Sequence, residues 1–180
     1  MAKNVDRRCI DLARDRLKGA DAEERFCELM RKNGFKANRL QPKQEKGAAT
    51  KTVKGKRIVV GDVDVSLPNG EIFNAEVKSK YPSQFGAYGI EQYRVEHYRD
   101  YEKLSGIPVV YVIEKTKNSK NETVIPIEQR EWLWKSFRDL LKKPYKVYEG
   151  WTWIGGKKKK APIYYFEEEW FNNIETDWWE

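Results

Sequence analysis

The sequence predicts an α/β (α+β) fold, with a central mixed sheet flanked by helices and an aromatic-rich C-terminal extension. Three observations predict it. Helical and strand periodicities follow one another in the order helix–hairpin–helix–strand–strand–helix, which packs as layers on one sheet. The run PVVYVI at 108–113 is continuously apolar, as a buried strand requires. Two strand-like segments flank Pro68-Asn69-Gly70-Glu71, whose Asn-Gly is a hairpin turn signal. At 180 residues the chain is long enough for one domain with a sizeable core.

Each element has its own warrant. Residues 5–17 repeat apolar side chains near helical spacing, Lys18-Gly19 breaks the pattern, and Asp21 caps a second helix. That helix carries Phe26, Leu29 and Met30 on one face and stops at Asn33-Gly34. Residues 41–56 are polar, lysine-rich and glycine-containing, and read as a mobile basic loop. Residues 57–67 read as one strand and 72–79 as its return strand. After a flexible link at 81–89, residues 90–104 form a helix with Ile90, Tyr93, His97, Tyr101 and Leu104 along a stripe, stopped by Ser105-Gly106-Ile107-Pro108. Strands are expected at 109–114 and 122–127, a third helix at 128–141, and two or three short strands with a tail over 145–180. The expected organisation is a core over 1–141 and an aromatic, lysine-rich extension over 142–180 packed on it.

Composition narrows the chemistry. Charged residues make up 35% of the chain, and no apolar stretch approaches the ~20 residues of a membrane span. The first residues lack the apolar stretch of a secretion signal, and two cysteines, Cys9 and Cys27, cannot build a disulfide framework. An intracellular protein with no membrane partner is expected. A single histidine, His97, excludes a two-histidine metal site. The net charge is +7, and residues 1–60 hold 17 Lys+Arg against 8 acids, so the excess lies in the first third. Such a field points to a polyanion, most simply nucleic acid.

The informative stretch is Gly61-Asp62-Val63-Asp64-Val65 followed by Ala75-Glu76-Val77-Lys78. Residues two apart on a strand share a face. Asp62 with Asp64, and Glu76 with Lys78, therefore stand opposite the apolar Val63, Val65, Ala75 and Val77. If Asn69-Gly70 closes the hairpin, the two polar pairs meet at its open end. Converging carboxylates there form a hard-oxygen site suited to Mg²⁺ or Mn²⁺, and a lysine beside them orients water or stabilises charge on a phosphate oxygen. D-x-D and E-x-K also arise on solvated sheet faces. These charges, however, interrupt apolar strands, which is costly unless they bind something.

This pattern resembles the PD-(D/E)xK nuclease superfamily, with its restriction-endonuclease-like core. Its upstream acid would be Asp64 or Asp62, and its E-x-K Glu76-Val77-Lys78, followed by Ser79. The usual proline before the acid is missing; Asp64 is favoured because an apolar strand end follows it, with Asp62 as a neighbour. Lys18-Gly19, Glu23, Phe26 and Asn33-Gly34-Phe35 are similar to the opening of archaeal-type Holliday junction resolvases. The resemblance implies a Mg²⁺-dependent endonuclease, acting on branched DNA as a homodimer. Asp64, Glu76 and the Val77 carbonyl would hold metal, Glu23 a second metal or water, and Lys78 the attacking water. Gln92 is a candidate polar helper, against the simpler reading of a surface glutamine.

Lys18 beside the helical Glu, Lys43, Lys46, Lys51, Lys54, Lys56 and Arg57 in the loop, and Lys157, Lys158, Lys159 and Lys160 after Gly155-Gly156 are the candidate phosphate-binding groups. Trp151, Trp153, Tyr164 and Tyr165 read as base-stacking groups, a satellite core or a dimer interface. Two alternatives remain beside the resolvase-like reading. One is a restriction-like or homing-type endonuclease with the same core; the other is a nucleic-acid-binding module that does not cut.

Overall fold

The computed structural model describes residues 7–41, 48–154 and 157–174, with side chains from Leu17 onward except Trp153 and Ile154. A six-stranded mixed sheet runs in the order β1-β4-β5-β7-β8-β11. Its strands are β1 (Lys36–Arg39), β4 (Val63–Ser66), β5 (Ile72–Lys80), β7 (Val109–Lys115), β8 (Trp132–Ser136) and β11 (Asn172–Asn173). Only β5 and β7 are parallel; each other neighbouring pair is antiparallel. A second sheet takes the order β6-β10-β9, from β6 (Ala87–Glu91), β9 (Lys146–Ile154) and β10 (Lys157–Glu167), and β2 (Thr50–Val53) with β3 (Lys56–Val59) makes a separate hairpin. The helices are α1 (Arg7–Lys32), α2 (Gln92–Ser105) and the single turn α3 (Phe137–Leu140). No helix among the described residues is long and apolar enough to cross a membrane.

Alternation on the strands divides the core between the faces of the large sheet. Val63, Val65, Ala75, Val77, Val110 and Val112 pack with Phe26, Cys27 and Met30 of α1. Tyr111 and Ile113 face the other way, towards Tyr98 and Tyr101 of α2, Phe137 of α3 and Tyr88 and Phe166 of the second sheet. β7 is buried along its whole length because it is covered on both faces, as its unbroken apolar run predicts. Gly70 takes φ 87° in the turn between β4 and β5, a conformation that favours glycine, and Gly106 at φ 77° ends α2.

Several expectations are corrected. Lys18-Gly19 does not divide the first helix: α1 is continuous, because an interior glycine costs only about 1 kcal/mol while Ala20, Ala22, Phe26 and Met30 are buried beyond it. The basic loop is in part a hairpin, since Ala49, Ile58 and Val60 enter the core. The single strand at 57–67 is two strands, β3 and β4, that lie in different sheets. Residues 87–91 of the expected link are a strand, held by pairing with β10. The buried side of α2 is Val95, Tyr98 and Tyr101, and His97 instead sets its ring edge-on to Tyr93.

No strand forms at 122–127. Of the helix expected at 128–141 only the turn α3 is α-helical, and residues 132–136 are β8, because Trp132 enters one core and Leu133 the other while the backbone pairs with β7. A short apolar run of this kind carries no decisive period, and strand pairing decided it. The C-terminal strands exist but are long, and β10 pairs with β6, so residues 157–167 join 87–91 in one sheet. Lys43, Lys46, Gly155, Gly156 and the tail beyond residue 174 lie outside the described residues.

One buried charge ties α1 to the sheet. Glu114 on β7, 1% exposed, accepts Nε and Nη2 of Arg25 at 2.7 and 2.8 Å and the Ser79 hydroxyl at 2.7 Å, and Arg130 Nη1 lies 3.1 Å away. Burial opposes its ionisation, but these donors outweigh burial and hold the carboxyl below its ordinary value. A depressed folded-state pKa contributes stability that is present above the ordinary carboxylate value and lost as pH falls through the folded value. Glu114→Gln should therefore cost about 3 kcal/mol near neutral pH, since it leaves charged partners buried. In urea melts at a series of pH values, the gap to wild type should close as the pH falls below about 4.

Candidate active site

β5 gives the site its frame. Asn74, Glu76, Lys78 and Lys80 follow one another at every second position, so they share the face that looks towards α2. Glu76 has no exposed surface, and its charge is met three times. Lys78 Nζ lies 2.5 Å and Arg94 Nη1 3.0 Å from Oε1, and the Tyr98 hydroxyl donates to Oε2 at 2.5 Å. Burial works to raise the Glu76 pKa, but Lys78 and Arg94 outweigh it and the carboxyl stays below its ordinary range. Arg94 is raised in turn, chiefly by Glu76. Arg94 and Tyr98 stand four apart on α2, one helical turn, so both reach the same carboxylate.

Asp62 arrives from the segment before β4, and a glycine makes this possible. A Cβ on Gly61 would stand 2.6 Å from the backbone C and O of Ala75, so only glycine allows the chain to cross β5 this closely. Asn74, fully buried, clamps the crossing: its Oδ1 accepts the Gly61 N–H at 2.6 Å, and its amide lies 3.2 Å from the Val63 carbonyl and 3.0 Å from Asp64. Past this bend the Asp62 carboxylate accepts the Val77 N–H at 3.0 Å and Lys78 Nζ at 3.2 Å. Burial, and after it the charge of Glu76, pushes Asp62 above its ordinary value. Burial works against the charge on Lys78, but Asp62 and Glu76 hold its pKa high.

The predicted acids thus separate. Asp62 and Glu76 meet at Lys78. Asp64 turns to the Lys51 ammonium and the Asn74 amide, and Glu23 accepts Nε and Nη2 of Arg39 at 2.9 and 2.7 Å. Glu23 is nevertheless close enough for its charge to add to the rise in Asp62. Gln92 donates to Glu96 within α2 at 2.8 Å. Of the basic candidates, Lys51 is committed to Asp64 and Tyr101, Lys56 lies 3.4 Å from Asp100, and Arg57 donates to Thr50. Lys18 and Lys54 are exposed, as are Lys157, Lys158, Lys159 and Lys160; the ammonium groups of Lys158 and Lys160 stand 5.6 and 5.8 Å from the ring centre of Trp151. Sequence reasoning passed over Asn74, Arg94 and Tyr98, while Arg39, read as a basic neighbour of the helical Glu, is the partner of Glu23. Arg94 and Tyr98 have a legible signal in their spacing on the helix after E-x-K.

A divalent cation is a fair fit to what gathers here. The Lys78 ammonium lies among three hard oxygens, those of Asp62, Glu76 and the Val77 carbonyl (3.2 Å), the donor type Mg²⁺ and Mn²⁺ take. The set is two carboxylates and a carbonyl; among the described residues no three acidic, histidine or cysteine side chains cluster as a metal site.

A mixed sheet whose parallel pair carries the carboxylate–lysine strand, covered by a long helix on one face, is a resolvase-like α+β architecture. In structure the chain is similar to Hjc, a Holliday junction resolvase from the archaeal hyperthermophile Archaeoglobus fulgidus, with a TM-score of 0.51 and 12% identity over 87% of this chain and 92% of that one. The likeness is one of fold. No protein-family model matches the sequence, and no curated protein matches it.

Gly61→Ala tests the crossing. The added methyl meets backbone rather than a movable side-chain end, so the variant should lose about 1–3 kcal/mol in denaturant unfolding. Gly19→Ser, at a half-buried position where an added Cβ meets nothing within 4 Å, should stay close to wild type in the same assay.

Proposed function

We propose that the protein is a divalent-metal-dependent endonuclease that hydrolyses DNA phosphodiester bonds, with branched DNA as substrate and a homodimer presenting one site to each of two strands. The observation that carries this reading is the gathering of the Asp62, Glu76 and Val77 oxygens around the Lys78 ammonium, on a fold shared with a Holliday junction resolvase. Asp62, Glu76 and the Val77 carbonyl would hold Mg²⁺ or Mn²⁺, which supplies Lewis acidity at the scissile phosphate. Lys78, beside those oxygens, would hold the attacking water or a phosphate oxygen. Arg94 and Tyr98 keep Glu76 ionised and oriented. Glu23, paired with Arg39, would assist at a second metal or water, while Asp64 with Lys51 anchors the β2–β3 hairpin beside the site. Lys18, Lys54 and the lysines at 157–160 give a salt-dependent grip on phosphates, and Trp151 between Lys158 and Lys160 offers an unpaired base a stacking surface.

A second reading, a nucleic-acid-binding module that does not cut, draws support from the same carboxylate: Glu76 is already shared between two cations and a hydroxyl. One assay separates the two. Purified protein is incubated with linear duplex, single-stranded and four-way-junction DNA, with Mg²⁺ and with chelator. The nuclease reading expects Mg²⁺-dependent cutting, highest on the junction, reduced about 10²–10³-fold in Asp62→Asn, Glu76→Gln and Lys78→Met and much less in Asp64→Asn. Binding of all three DNAs with no cutting would establish the second reading. Cutting that is unchanged in Glu76→Gln would remove the site from the reaction. Trp151→Ala should weaken binding of single-stranded DNA by about 1–3 kcal/mol if a base stacks there.

A further inference from the structure

We infer that a cleft of about 630 Å³ at the carboxyl end of the parallel pair β5–β7 binds a phosphate group of the nucleic-acid strand, an inference that rests on the nucleic-acid reading above. Lys18 and Arg25 of α1, Lys80 at the end of β5, Lys117 beyond β7 and Arg130 line it, with Asp21 the one acid on its wall among the described residues. Lys80 turns its ammonium to the Gly89 carbonyl, 2.6 Å away on the α2 side of the sheet; counting the buried Glu114, the other four cations stand against two acids, a net +2.

Pre-organisation distinguishes this cleft from a chance cluster of surface lysines. Glu114 accepts both Arg25 and Arg130, so two guanidiniums are held side by side before any ligand arrives. Arg25 spends Nε and Nη2 on Glu114, and Arg130 spends Nε on the Ile125 carbonyl at 3.0 Å while its Nη1 faces Glu114. Each guanidinium carries five N–H donors, so both keep donors beyond these bonds. The Ser79 hydroxyl completes the ring of donors around Glu114, leaving that carboxylate's oxygens committed. Planar, fixed guanidinium forks match phosphate oxygens and lose little freedom on binding them. Lys117, whose ammonium stands 5.6 Å from the Tyr81 ring centre, and the exposed Lys18 add charge at the rim.

Position gives the cleft its place in the substrate path. Lys80 follows Lys78 by two residues on β5, about 7 Å along the strand. Crevices outside the carboxyl ends of parallel strands are where open α/β sheets hold their ligands. Lys78 faces α2 and the two guanidiniums face α1, so a strand whose scissile phosphate lies at Lys78 would round the end of β5 to bring a neighbouring phosphate, or its terminal one, into this cleft.

The test is binding by the full chain in chelator, where no cutting occurs, so its failure and that of the nuclease reading are separately visible. Fluorescence anisotropy is measured with one short single-stranded oligonucleotide carrying either a 5′-phosphate or a 5′-hydroxyl. Lys18→Ser/Lys117→Ser, which leaves the Glu114 cluster intact, should weaken binding on the order of tenfold and flatten the slope of log K against log salt by about 0.7 for each phosphate that is no longer neutralised. Arg130→Lys, which keeps the charge and removes the fork, should weaken binding in the same direction. If the 5′-phosphate binds more tightly and the variants erase that advantage, the cleft takes a terminal phosphate; if both oligonucleotides are weakened equally, it takes an internal one. Unchanged affinity and salt slope in both variants, with native circular dichroism, would overturn the inference.

Discussion

Glu76 is a carboxylate with no exposed surface in the middle of a sheet, and much of the surrounding structure answers to it. An ion so placed costs several kcal/mol unless opposite charges and hydrogen bonds compensate. The compensation comes from three directions: Lys78 on its own strand, and Arg94 and Tyr98 one turn apart on α2. Arg94 also lies 3.5 Å from Glu91, and Glu91 accepts the Thr152 hydroxyl at 2.7 Å. One buried charge therefore sets the rotation of α2 and links the second sheet, through β6 and β9, to the first.

β5 and its parallel neighbour β7 repeat this arrangement on opposite faces. Glu76 binds the α2 layer through Arg94, and Glu114 binds α1 through Arg25. The same chemistry serves different ends on the two sides. Around Glu76 the donors enclose the carboxylate, and with Asp62 they gather oxygens about an ammonium. Around Glu114 they spread two arginines across the floor of an open cleft.

Much of the fold was legible from residue pattern: the β4–β5 hairpin, α2 and β7 stand near where periodicity put them, and α1 spans, without the expected break, both of the helices it predicts. Residues 128–141 and 81–89 carry patterns that local periodicity cannot resolve, and pairing with other strands decided both, whereas 57–67 divides at the Gly61 bend into β3, in its own hairpin with β2, and β4. In the site, E-x-K and the two aspartates were visible; the family resemblance favoured Asp64, and it is Asp62 that meets Lys78. Periodicity treated Asp62 and Asp64 as equivalent. The bend at Gly61, clamped by Asn74, takes Asp62 out of the strand and brings it to Lys78, while Asp64 stays in β4 and turns to Lys51.

The sequence alone determined the chemistry available to this protein: carboxylates, a lysine and a hard-oxygen donor set, with one histidine and two cysteines too few for most other metal sites. It determined the alternation that puts Glu76 and Lys78 on one face, because a strand's period of two is local. The tertiary structure decided which charges meet. Arg94 and Tyr98 reach Glu76, and Arg25 reaches Glu114 across 89 residues of chain, because burying a charge demands partners that sheet order and helix rotation bring close. Those partners are set by packing over long sequence separations, and no local pattern encodes them.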